Sequence, residues 1–180
     1  MTRAQIALGL AATAALSLSA CDKAKPRAPA PPAAAMDTTG PAPAAPGGSP
    51  MPALPAWAND YMGKPIATLF PGPPKTCVGN TDNVEQKYGG ASPGVQIVGW
   101  GWDPAAKAPI ARVLLVDITG LVAGVGETGI ARPDVNKVKP EITSPTTGWA
   151  AYTSRTLGPV DTYGILADGK SVCVLGHLVY

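Results

Sequence analysis

Three cysteines, one histidine and a scatter of carboxylates are the residues in this 180-residue chain with types suited to chemistry. Cys77 and Cys173 lack the CxxC spacing of a redox-active pair, and two cysteines with one distant histidine, His177, are too few ligands for a zinc site. Asp82 with Glu85, or Asp161 with Asp168, would suit the acid and base roles of glycoside chemistry, although any chain of this size offers such pairs. There is no serine in a nucleophile elbow, no phosphate-binding glycine loop with its lysine and no HExxH. No catalytic residue and no cofactor is therefore expected.

Recognition chemistry has better candidates. Arg132-Pro133-Asp134-Val135 places a cation and a carboxylate beside a rigid proline, suited to a polar contact with a sugar or a partner. The structural alternative is preferred: Pro133 starts a short helix, Arg132 pairs with a nearby carboxylate and Val135 enters the core. Trp100, Trp102 and Trp149, with Tyr88 and Tyr152, present a similar choice between core packing and a platform for sugar rings. Strand alternation puts Trp100 and Trp102 on one face and favours the core. If one of the three tryptophans is exposed, Trp102, beside Asp103 and Pro104, is expected to be that one.

The elements that position these residues read as strands. Val95–Trp102 and Ala111–Asp117 are rich in β-branched and aromatic residues, and Thr119-Gly120 signals a turn into Leu121–Gly126. Further strands are predicted over Thr147–Leu157, Val160–Ala167 and Ser171–Val179, with Asp168-Gly169 as the turn between the last two. His177 then falls in an edge strand. Short helices are predicted at Ala56–Tyr61 and Pro133–Val138. The fold class is mainly β: a small antiparallel β-sandwich or partial barrel with one or two short helices, preceded by a disordered tether.

Composition divides the chain into three parts. Residues 1–20 hold one early positive charge and a thirteen-residue apolar run, Ile6–Leu18, too short to span a bilayer and laid out as a signal peptide. Residues 21–55 are rich in proline and alanine and hold no aromatic residue, which suits an extended linker reaching up to about 100 Å. Residues 56–180 carry every aromatic residue and ten basic against ten acidic side chains, so they form one domain with no electrostatic footprint for nucleic acid.

Leu18-Ser19-Ala20-Cys21 resembles the lipobox of bacterial lipoproteins. That resemblance implies cleavage before Cys21, acylation of its thiol and attachment to a membrane by several acyl chains, which together anchor durably. Asp22 is similar to an inner-membrane retention signal of enteric bacteria, a rule that varies between bacterial groups, so both membranes stay open. With Cys21 committed to lipid, Cys77 and Cys173 remain as a pair in an oxidising compartment, and a disulfide is the economical reading over the redox and metal alternatives.

From Cys77 onward, Cys77-Val78-Gly79-Asn80, Gly99-Trp100-Gly101-Trp102-Asp103, Val116-Asp117, Arg132-Pro133-Asp134-Val135, Gly148-Trp149 and Cys173 together resemble an uncharacterised module of bacterial envelope proteins. The resemblance implies a β-sandwich in the cell envelope and supplies no catalytic residue. Two functions follow as expectations. One is a membrane-anchored, non-catalytic module binding an envelope glycan, with Trp102, Tyr88, Tyr152, Arg132 and Asp134 as ligand contacts. The other is an assembly factor docking on a neighbouring envelope protein.

Overall fold

A computed structural model describes residues 48–180; the apolar run, Cys21 and the linker up to residue 47 lie outside the described residues. The elements run as a short 3-10 helix (Ala56–Asp60), α1 (Ile66–Leu69), β1 (Val78–Tyr88), β2 (Gly94–Asp103), β3 (Ala108–Pro109), β4 (Arg112–Val116), β5 (Val122–Ile130), α2 (Pro133–Val138), β6 (Gly148–Thr153), β7 (Pro159–Ile165) and β8 (Val172–Val179). All strands belong to one antiparallel sheet of order β1-β2-β6-β5-β4-β7-β8, with β3 pairing β2. Of the two expected architectures, the partial barrel is the one formed. The sheet curls until its edge strands β1 and β8 meet, stapled by Cys77–Cys173 with Cα atoms 5.9 Å apart.

Beyond the disulfide, β1 and β8 meet through side chains and share no ladder. A side chain at Gly79 would strike Leu175, and one at Gly176 would press on Thr81, so small residues let the two edges close up.

The sheet is buried on both faces where β4 runs, which explains the near-continuous apolar sequence Val113-Leu114-Leu115-Val116. Val113 and Leu115 face the barrel interior with Val95, Ile97, Trp149, Ala151, Val160 and Leu175. Leu114 and Val116 point outward and are covered by the chain that precedes β1, through Leu54, Trp57, Tyr61, Ile66 and Phe70. The 3-10 helix and α1 are thus the second layer. Neither has a side-chain cap or enough length to persist alone, so tertiary burial holds them in place.

Inside the barrel, Trp149 is completely buried and lies opposite Gly99 in the β2–β6 register. A methyl group at Gly99 would overlap the Trp149 ring and the Asn80 carbonyl, so the indole occupies space that glycine leaves free. The β4–β5 turn is set by Asp117, whose Oδ1 accepts from the Thr119 and Leu121 amides at 2.8 and 3.2 Å, while Gly120 takes φ of 80°. Burial alone would raise the Asp117 carboxyl; hydrogen bonds from Thr119 and Leu121 and the Arg155 charge outweigh it and hold the group below its usual range.

Candidate functional site

The outer face of β1, β2, β6 and β5 presents three rows of side chains in register. Gln86, Gln96, Tyr152 and Val125 lie directly across from one another, as do Asn83, Val98, Ala150 and Glu127, and then Asn80, Trp100, Gly148 and Ile130. Every second residue of a strand shares a face, so this layout follows from the register alone.

At one end of the face, the Tyr88 and Tyr152 rings are 6.2 Å apart and tilted by 46°. Gln96 joins them: its Nε2 donates to the Tyr152 hydroxyl at 3.2 Å, and its Oε1 accepts from the Tyr88 hydroxyl at 3.5 Å. Burial first, then the neighbouring Tyr88 and Glu85, push the Tyr152 hydroxyl above its ordinary value. Beside Tyr152 a groove of about 360 Å³ is floored by Val125, Glu127, Ile130 and Ala150 and walled by Ala53 and Pro55. The Trp57 indole donates to Glu127 Oε1 at 3.3 Å and in turn lies 4.4 Å beneath the Arg112 guanidinium, which fixes the carboxylate at the groove wall.

At the other end, the stem of Arg132 runs over Gly148, where a Cβ would sit 2.8 Å from Arg132 Cγ. Its guanidinium grips Asp134 through Nε to Oδ1 at 2.9 Å and NH2 to Oδ2 at 2.7 Å, and reaches Asp82 through NH1 at 2.6 Å. Asn80 Nδ2 donates to the same Asp82 carboxylate at 2.7 Å. Such planar, forked pairing ties the start of α2 to β1. Hydrogen bonding from Arg132 holds the Asp134 carboxyl down to about 2. A carboxylate depressed below its unfolded value of about 3.9 contributes stability that is complete above that value and lost as the pH falls towards 2. The urea midpoint is therefore expected to fall less steeply between pH 5 and pH 2 in Asp134→Asn than in the wild type; equal slopes would show that the pair adds nothing.

The expected ligand contacts divide. Tyr88 and Tyr152 come together, and Arg132 with Asp134 lies on the same outer surface, already committed to each other and to Asp82. Trp102 is corrected as a surface contact: it is 3 % exposed, covered by Val135 and Ile142. Alternation placed it correctly on the face of Trp100, but α2 and the loop after it fold over that end of the strand. Trp100, at the edge of this cover, is the half-buried member of the pair. Gln96, Glu127 and Trp57 went unrecognised as site residues, although the spacing Gln96-Val98-Trp100 already put Gln96 on the aromatic face.

Of the residues considered for catalysis, Asp82 is held by Arg132 and Asn80. His177 Nδ1 lies 2.7 Å from Asp161 on β7, away from the tyrosines, while Asp168 caps the β7–β8 turn through the Lys170 and Ser171 amides. Among the described residues, no group of three or more His, Cys, Asp and Glu is placed to hold a metal ion. No family model, no curated protein and no solved structure matches the chain.

Proposed function

We propose that the protein is a membrane-anchored envelope lipoprotein, attached through Cys21, whose β domain is a non-catalytic module that binds an envelope glycan on the outer face of β1, β2, β6 and β5. The observation supporting this reading is the Tyr88–Gln96–Tyr152 set, whose Tyr152 lines the 360 Å³ groove. Tyrosine rings offer flat surfaces to the C–H faces of sugars, and each also carries a hydroxyl for polar contact. Gln96 and Glu127 add planar donors and acceptors suited to sugar hydroxyls. Because these side chains are tied to one another or to Trp57, little ordering remains to oppose binding.

A second reading, docking on another envelope protein, draws on the 45 % exposure of Ile130 in the groove and the 78 % exposure of Val138 on α2. A glycan array separates the two. Saturable binding to an envelope saccharide is expected, weakened at least about tenfold, or 1.4 kcal/mol, by Tyr152→Ala. No binding to any saccharide would overturn the glycan reading in favour of the protein partner.

A further inference from the structure

The strand registers sort the loops into two groups at opposite ends of the barrel. Tyr88 pairs with Gly94, Val95 with Thr153, Gly124 with Thr153, Val116 with Val122 and with Asp161, and Pro159 with Val179. The turns 89–93, 117–121 and 154–158 and the end of β8 therefore share one end. The 117–121 and 154–158 turns are joined directly by the Arg155–Asp117 ion pair.

Three large apolar side chains project from this end: Ile118 at 79 % exposure, Leu157 at 73 % and Val179 at 69 %. They are the most exposed apolar residues of their turns and strand, and nothing in the fold uses them. The three turns hold one carboxylate and one cation, Asp117 and Arg155, which neutralise each other. The end is thus apolar at its tips, and Asp161, the carboxylate at this end of β7, is engaged by His177 at 2.7 Å.

The chain also enters the described domain here. The Gly89 amide donates to the Ser49 carbonyl at 3.1 Å, and the Met51 amide donates to the Ser92 carbonyl at 2.9 Å. Whatever anchors residues upstream of Gly48 therefore pulls on this end. We propose that this end of the barrel lies against the lipid surface, with Ile118, Leu157 and Val179 entering the headgroup region. The inference rests on the reading of Cys21 as the lipid anchor. An anchored tether raises the effective concentration of lipid at the domain, so shallow insertion of a few apolar side chains suffices to orient it. The outer face of β1, β2, β6 and β5 then stands roughly along the membrane normal, with Tyr88, which pairs with Gly94 beside the 89–93 turn, at its membrane-proximal edge.

The test uses the full acylated protein reconstituted in phosphatidylethanolamine–phosphatidylglycerol vesicles. An environment-sensitive fluorophore is placed by Ile118→Cys or Leu157→Cys, and at the opposite end by Lys170→Cys in the exposed β7–β8 turn. Labels at 118 and 157 are expected to shift to the blue and to be quenched severalfold more than the label at 170 by a quencher carried on shallow lipid positions. Equal, water-like emission at both ends of a vesicle-bound protein would overturn the docking proposal while leaving the anchor intact. A blue shift at 118 with no lipid quenching would assign the surface to contact between copies of the protein and also overturn it. Co-flotation that persists in Cys21→Ala, or is absent in the wild type, would remove the anchor reading and this inference with it.

Discussion

Replacing Cys77 and Cys173 together by alanine is expected to lower unfolding stability by about 4 to 5 kcal/mol, the chain-entropy value for a loop of this length. The bond joins residues 96 apart in sequence, so it restrains nearly the whole β domain in the unfolded state. For a domain whose total stability is on the order of 5 to 15 kcal/mol, the loss takes about a quarter or more. The loss is local as well as global, because β1 and β8 have no ladder between them and depend on the disulfide and a few close side-chain contacts. Denaturant unfolding of wild type and C77A/C173A, each fitted with its own m-value, measures it. A shift under about 1 kcal/mol would mean that the packing of Leu175 and Thr81 against the glycines holds the edges without help.

The second large effect lies across the barrel interior. Trp149→Ala removes a fully buried indole, a change that costs about 3 to 5 kcal/mol in other cores. Gly99→Ala acts in the opposite sense, forcing a methyl group into the ring and the Asn80 carbonyl, with an expected cost of about 1 to 3 kcal/mol. Since the two residues share one space, the double variant should cost less than the sum of the singles, by about 0.5 to 3 kcal/mol. Strict additivity in urea unfolding would show that the clash lies with the Asn80 carbonyl alone.

How far the fold could be read in advance depended on how regular each element is. Helix α2 was anticipated at its observed bounds because Pro133 and Asp134 suit a first turn. The strands β2, β4, β7 and β8 stood out through β-branched residues and turn signals. Strand β1 escaped notice because Val78–Tyr88 is mostly polar and breaks register after Thr81 and again after Val84, which scrambles the two-residue alternation. Helix α1 escaped because its four residues are ordered by contacts made with distant strands.

The site was legible to a lesser degree. Tyr88 and Tyr152, 64 positions apart in the chain, meet only because β2 and β6 pair, so nothing local announces them. Arg132 and Asp134 were visible as a local pair, whereas Asp82, which completes their grip, comes from a strand 50 residues earlier. The preferred core reading of Trp102 holds, and its alternative use as a ligand contact fails, because alternation reports the face of a strand and is silent on what folds over it.

The meeting of β1 and β8 bears on life at high surface density. Under the proposed attachment through Cys21, the population would be confined to two dimensions, where neighbouring copies collide often. An open sheet would offer each neighbour two rows of unpaired amides and carbonyls, an invitation to strand addition and fibre growth. Here each vulnerable edge faces the other across a disulfide-locked seam, so the same covalent bond that steadies one molecule also denies its edges to the next.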